Sequence, residues 1–107
     1  MRKDEIIDQF FIKYLNENFV NIAADLLDRI GFGDEYAGCT FPDEDDDFEG
    51  VQFWYFEEEV VVSDEEFLDI MCRYLVHFQK KYPRKRREVV NLINKLGLNP
   101  HGPASRR

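Results

Sequence analysis

The chain has 107 residues, of which 44% are hydrophobic and 15% aromatic, and its formal net charge is −8 at pH 7. This length and composition are typical of one folded domain and exclude a disordered acidic tail. The acidic excess argues against DNA, RNA or an anionic membrane as the partner, because those are bound through Lys and Arg, and it favours a basic partner.

Targeting and membrane signals are not evident in the sequence. Residues 1–5 lead directly into an amphipathic pattern, without the apolar region of a signal peptide. No apolar run approaches the roughly 18 residues that a membrane-spanning helix needs. Cys39 and Cys72 match no metal-binding spacing and are expected to be reduced thiols.

Two helical patterns open the chain. From Asp4 to Leu15 the apolar residues recur at helical spacing, and residues 16–18 (Asn-Glu-Asn) predict a break. A second pattern runs from Phe19 to Ile30. Gly31 follows at the position where a helix end favours a residue with positive φ, so we expect the second helix to be capped there.

The middle of the chain predicts about three short antiparallel strands. Residues 39–41 form a candidate strand that ends at Pro42, residues 51–56 form a second, and residues 60–62 return after a turn at 57–59. Alternation along the second strand separates two largely apolar faces: Val51, Phe53 and Tyr55 on one side, and Gln52, Trp54 and Phe56 on the other.

Two more helices follow the sheet. Ser63 and Glu66 have the spacing of a capping box, and a core-facing stripe continues to the Tyr82-Pro83 break. A last helix is predicted from Pro83 to Gly97. The expected fold is α+β, with the sheet packed against four helices in one domain over residues 1–100 and a flexible tail over 101–107. Its expected core includes Phe10, Leu26, Phe67, Ile70 and Ile93.

The acidic excess is concentrated in one interval. Residues 34–72 contain fifteen Asp and Glu and no Lys or Arg. An acidic run there borders the most aromatic segment of the chain, which combines steering charge with the side chains that dominate interface energetics. The candidate binding residues are Asp43, Glu44, Asp45, Asp46, Asp47, Phe48, Glu49, Trp54, Glu57, Glu58 and Glu59. Trp54 fits either a core anchor or an interface anchor.

Catalytic interpretations are weaker, but two alternatives stay open. A calcium loop starting at Asp43 needs Gly at its sixth position and Glu at its twelfth, where this chain has Phe48 and Trp54. His77 and His101 have no Cys or Ser arranged for nucleophilic chemistry, and the basic turn 84–87 is interpreted as charge balance. We expect no metal or cofactor. The alternatives are a small metal-dependent hydrolase that uses the Asp/Glu cluster and an acidic adaptor for another basic protein.

The order of short motifs between residues 31 and 67 resembles a known family, the bacterial immunity proteins of contact-dependent growth inhibition (CDI) that are paired with ribonuclease toxins. The motifs are Gly31-Phe32-Gly33, Cys39-Thr40-Phe41-Pro42-Asp43, Phe48-Glu49-Gly50-Val51, Phe53, Phe56, Val62-Ser63 and Glu65-Glu66-Phe67. The flanking helices match in length and apolar pattern only, and the basic tail after Pro100 matches no family pattern.

The resemblance implies a cytoplasmic, non-enzymatic protein that binds the C-terminal toxin domain of a large exported effector and blocks its nuclease site. It implies no particular contact residue, so the candidate residues rest on charge and exposure alone. An acidic surface with embedded aromatic rings complements a nuclease site, since such a site presents cationic side chains to RNA phosphates. We expect a monomer before binding.

Overall fold

The computed structural model describes residues 2–43 and 46–96. These residues form four α-helices: α1, Lys3–Tyr14; α2, Phe19–Leu27; α3, Asp64–Lys81; and α4, Arg86–Leu96. A short 3-10 helix, Pro83–Lys85, leads into α4. The predicted break between the first two helices is confirmed. The predicted tail, 101–107, and the end of the predicted domain at residue 100 lie outside the described residues.

The start of α3 confirms Ser63 as its N-cap. The backbone N–H of Glu66 donates to the Ser63 hydroxyl oxygen at 3.0 Å, which satisfies one of the amides that a helix start leaves without a partner. The Glu66 carboxylate pairs with Lys3 of α1 at 2.7 Å. The cap therefore rests on the Ser63 hydroxyl, and Glu66 is used to join two helices.

The end of α2 differs from the prediction that Gly31 supplies the positive φ. Arg29 has φ of 63° instead. The N–H of Ile30 donates to the Asp25 carbonyl and the N–H of Arg29 to the Leu26 carbonyl, both at 2.9 Å, which is the Schellman pattern with Arg29 as its left-handed residue. The helix ends at Leu27 because the left-handed conformation of Arg29 cannot continue it.

The four strands are β1, Phe32–Gly33; β2, Ala37–Thr40; β3, Val51–Tyr55; and β4, Glu58–Val62. They form one antiparallel sheet in the order β1-β2-β3-β4. The α+β class is confirmed, with one strand more than the predicted three, because Phe32 and Gly33 pair with Cys39 and Gly38 of β2. Glu58 and Glu59, expected in a turn, pair with Tyr55 and Trp54 as part of β4.

The core lies between the inner face of the sheet and the helices. Phe53 of β3 is fully buried, and its ring centre lies 5.6 Å from that of Phe10 and 5.7 Å from that of Phe11, both on α1. All five residues predicted to share a core belong to this one buried cluster. Cys39 and Cys72 are buried thiols, and burial raises the pKa of Cys39 above its ordinary value.

Candidate functional site

The outer face of the sheet carries Trp54. Strand alternation directs this side chain away from the core that Phe53 enters, and Trp54 is half-buried. Its indole lies against Gly38 of β2, where an added Cβ would be 2.5 Å from the indole carbon Cζ2. Val61 of β4 is 41% exposed on the same face. Trp54 is therefore outside the core cluster, and glycine at position 38 makes room for its ring.

The acidic loop, residues 43–49, connects β2 to β3. Asp43, Asp46, Asp47 and Glu49 are exposed and Phe48 is half-buried. The backbone N–H of Asp43 donates to the Asp46 carboxylate at 2.7 Å, and the N–H of Asp46 donates back to the Asp43 carbonyl at 3.1 Å. These two bonds join Asp43 to Asp46, and both residues are exposed. Glu44 and Asp45 lie outside the described residues.

Arg29 holds the base of the acidic loop. Its guanidinium lies 4.8 Å from the centre of the Phe41 ring and pairs with Asp64 at 3.1 Å. Gly50, at the other end of the loop, has φ of 100°, and an added Cβ there would be 2.1 Å from the Val62 carbonyl oxygen. Arg29 also donates to the Gly50 carbonyl at 3.5 Å, so this one cation contacts residues on both sides of the loop.

The predicted site residues are spread along the length of β3. The acidic loop precedes β3, whereas Glu57 follows it, and a five-residue strand at about 3.3 Å per residue separates them by about 13 Å. Trp54 and Glu59 are brought together, because they are paired across β3 and β4. Gln52 joins this group by donating to the Glu59 carboxylate at 3.1 Å. The sheet face thus lies between two separate acidic regions.

A cluster of exposed apolar side chains lies at the β3–β4 turn, next to the predicted site residues Glu57 and Glu58. None of these apolar side chains was among the predicted site residues. We call Ile12, Tyr36, Tyr55 and Phe56 the tip cluster. Ile12, Tyr36 and Phe56 are 61%, 50% and 56% exposed. The Phe56 ring centre lies 5.3 Å from that of Tyr36 and 4.6 Å from that of Tyr55. Two shallow concavities of about 260 and 490 Å³ meet there.

Phe56 adopts an unusual backbone conformation. Its φ is 56°, in the left-handed region that hairpin turns usually give to Gly or Asn. Its N–H donates to the Tyr36 carbonyl at 2.6 Å, so the turn is tied to the segment that precedes β2. This bond places the two exposed rings side by side.

Asp34 fixes the position of Tyr36. One carboxylate oxygen accepts from the backbone N–H of Tyr36 at 2.8 Å and of Ala37 at 3.1 Å. The other accepts from Lys13 at 2.5 Å and from the Tyr14 hydroxyl at 2.9 Å. The bond from Lys13, with these backbone bonds, holds the pKa of Asp34 well below its usual range. Burial, and then the bond to Asp34, raises the pKa of Tyr14 to about 12.

The basic turn 84–87 lies on the helical side of the molecule. A concavity of about 480 Å³ there is lined by acidic and basic side chains, including Glu17, Lys81 and Arg84. Lys85 pairs with Glu88 three residues later at 3.5 Å. This concavity therefore carries both signs of charge.

Within residues 2–43 and 46–96, no three His, Cys, Asp or Glu side chains are grouped so that they could hold a metal ion. None of the helices in this part of the chain is long and apolar enough to cross a membrane.

Comparison with protein families gives one match. A family model described as CDI immunity protein matches residues 3–93, which include every described helix and strand except the last turn of α4. Comparison with curated proteins and with solved structures gives no match. The family match covers most of the 107 residues. The chain belongs to the family of CDI immunity proteins.

Proposed function

We propose that this protein is a cytoplasmic, non-enzymatic immunity protein that binds the C-terminal ribonuclease toxin domain of its cognate CDI effector and blocks its active site. The observation that carries the proposal is the family match over residues 3–93. The concentration of fifteen acidic residues between positions 34 and 72 supports it independently, because a surface that binds RNA phosphates is basic.

The proposed contact surface begins with the acidic loop and continues over the outer sheet face. The loop presents exposed carboxylates held by the turn at Asp43 and Asp46. Trp54 and Glu59 lie beyond it as an adjacent pair of aromatic and acidic side chains. Such a surface attracts a basic site over a distance through charge and contacts it closely through the indole. Glu57 and Glu58 extend the charge past the end of β3.

The alternatives differ in their partner. A metal-dependent hydrolase that uses the Asp/Glu cluster needs a divalent ion, and family membership favours the immunity function over it. An acidic adaptor would use the same surface on another basic protein. Inhibition of one toxin, encoded next to the immunity gene, distinguishes the proposed function from both.

The test is RNA cleavage by the toxin domain encoded immediately upstream, measured against increasing amounts of this protein. We expect complete inhibition at equimolar protein and an equimolar complex in sedimentation. The triple variant Asp43→Asn, Asp47→Asn, Glu49→Gln removes three exposed charges while keeping side-chain shape, and it should need more protein for inhibition. Asp46 is left intact because its carboxylate holds the loop turn.

A matched control removes three exposed charges from the helical side, with Glu17→Gln, Asp25→Asn and Asp28→Asn. It should inhibit like the wild type. A toxin domain that cleaves RNA equally well with and without the wild-type protein contradicts the proposed function. Equal loss in both triple variants contradicts the proposed surface, since net charge alone would then explain the result.

A further inference from the structure

We propose that the tip cluster is an anchor site that binds an arginine side chain of the toxin domain, between the exposed rings of Tyr36 and Phe56 and the carboxylates of Glu35 and Glu57. This inference rests on the proposed function and names the part of the surface that holds the partner. It differs from the acidic loop, which offers charge without an exposed aromatic ring.

Exposure is the first observation behind the proposal. Of the six large hydrophobic side chains that are exposed in the described part of the chain, Ile12, Tyr36 and Phe56 lie together at this tip. Tyr and Phe are enriched at protein interfaces, where their rings contribute a large share of the binding energy. Isolated exposed apolar residues are common, whereas three that share one shallow concavity indicate a contact surface.

The backbone of Phe56 is the second observation. Its φ of 56° is a conformation in which Gly or Asn fits a hairpin turn better than an aromatic residue does. A bulky ring at this position is unfavourable for folding and leaves the ring 56% exposed. An outlier of this kind at the surface points to a role in recognition.

Preorganisation is the third observation. Tyr36 is held through its backbone by Asp34 at 2.8 Å, and its carbonyl accepts from Phe56 at 2.6 Å. The Lys13 ammonium lies 5.1 Å from the centre of the Tyr36 ring, but it is paired with Asp34 and lines the smaller concavity, so the larger concavity is lined by carboxylates and rings. A backbone that is fixed before binding loses little conformational entropy when the partner arrives.

The charges around the rings select the chemistry of the occupant. Glu35, Glu57 and Glu58 line the same 490 Å³ concavity as Tyr36 and Phe56. A guanidinium is planar, stacks on an aromatic face and donates hydrogen bonds to carboxylates at the same time. An ammonium is more strongly hydrated and has no planar face to stack. Arginine can therefore contact both the aromatic rings and the carboxylates of this concavity.

The experiment measures binding of the toxin domain encoded immediately upstream to wild-type protein and to Phe56→Asn, by titration calorimetry with a thermal melt of each variant. Asn tolerates positive φ, so the substitution removes the ring and keeps the turn. We expect the Kd to rise at least about 30-fold, as for a hot-spot residue, with a melting temperature equal to or above that of the wild type. Val90→Ala, which trims a side chain 37% exposed on α4, is the control and should leave Kd unchanged.

A second variant, Glu35→Gln with Glu57→Gln, keeps the backbone and both rings, and should also weaken binding, most strongly at low salt. Phenylglyoxal treatment followed by mass spectrometry should find a toxin arginine that is protected in the wild-type complex and modified in the saturated Phe56→Asn complex. Identical protection in both complexes overturns the assignment of arginine.

The outcomes separate this inference from the function on which it rests. If the wild type does not bind the toxin domain, the proposed function fails and the inference fails with it. If the wild type binds and Phe56→Asn binds within threefold as tightly, the inference alone is overturned. A Phe56→Asn variant that keeps toxin affinity but changes the sedimentation of the free protein would assign the tip cluster to a contact between two copies of the chain, which also overturns it.

Discussion

The two ends of strand β3 present different chemistry to solvent. Before β3, the acidic loop exposes carboxylates such as Asp47 and Glu49 around a half-buried Phe48. After β3, the tip cluster exposes the rings of Tyr36 and Phe56, with the carboxylates of Glu35 and Glu57 around them. The sequence composition is acidic at both ends, so the difference lies in whether an aromatic side chain is exposed.

We expect the two regions to affect different steps of toxin binding. Charge that lacks an exposed apolar partner acts over distance, so it changes mainly the association rate and its dependence on salt. An exposed ring acts only in contact and changes mainly the dissociation rate. We therefore propose that the acidic loop mainly raises the association rate and that the tip cluster mainly lowers the dissociation rate, with Trp54 on the sheet face between them.

The largest expected effect is a loss of folding stability when a buried ring of β3 is removed. Phe53→Ala should lower the free energy of unfolding by about 3–5 kcal/mol, because the ring is fully buried among Phe10, Phe11 and Phe67 and its loss leaves a cavity. Urea denaturation measures the change. A Phe53→Ala protein as stable as the wild type would show that β3 presents its other face to the core.

The next effect concerns the adjacent residue on the opposite face. Trp54→Ala should weaken toxin binding by about 2 kcal/mol, while the free energy of unfolding falls by less than in Phe53→Ala because Trp54 lies outside the core. Calorimetric binding together with a thermal melt separates the two quantities. An unchanged toxin affinity together with a large loss of folding stability would show that Trp54 stabilises the fold and does not contact the toxin.

The smallest expected effect is a pH-dependent difference in melting temperature when Asp34, which binds the backbone of Tyr36, loses its charge. The pKa of Asp34 is lowered by the bond from Lys13, so the ionised carboxylate stabilises the fold fully above its ordinary pKa of 3.8 and loses this contribution as pH falls below that value. Asp34→Asn keeps an oxygen for the amides of Tyr36 and Ala37 but loses the charge. The melting temperature of the wild type should exceed that of the variant at neutral pH, and the gap should shrink under acid. A gap independent of pH would contradict the role of the Lys13–Asp34 pair.

Much of the fold follows from local sequence signals, and the exceptions have physical causes. Ser63 was predictable as a cap because the hydroxyl acts on an amide three residues away. The α2 terminus was mispredicted because Arg29 takes the left-handed position, where its guanidinium also pairs with Asp64, a contact that no local rule contains. Strand β1 was missed because two residues carry no periodicity, and only pairing with β2 defines it.

The candidate site was less predictable than the fold, because it depends on which residues of neighbouring strands are paired. Charge concentration pointed to residues 34–72 but could not show that β3 separates the acidic loop from Glu57. Tyr36 and Phe56 are far apart in sequence and become neighbours only because Ala37 pairs with Tyr55. A possible signal was the aromatic residue at the end of the strand pattern, but alternation assigned Phe56 to a strand face, whereas the turn begins there.

Stopped-flow measurement of the association and dissociation rates of the toxin domain tests these two roles most directly. The loop variant Asp43→Asn, Asp47→Asn, Glu49→Gln should associate more slowly than the wild type, with a weaker dependence on salt and a nearly unchanged dissociation rate. Phe56→Asn should associate at nearly the wild-type rate and dissociate at least about 30-fold faster. A loop variant that changes only the dissociation rate would contradict the role of the acidic loop in association. A Phe56→Asn variant that changes only the association rate would contradict the role of the tip cluster in slowing dissociation.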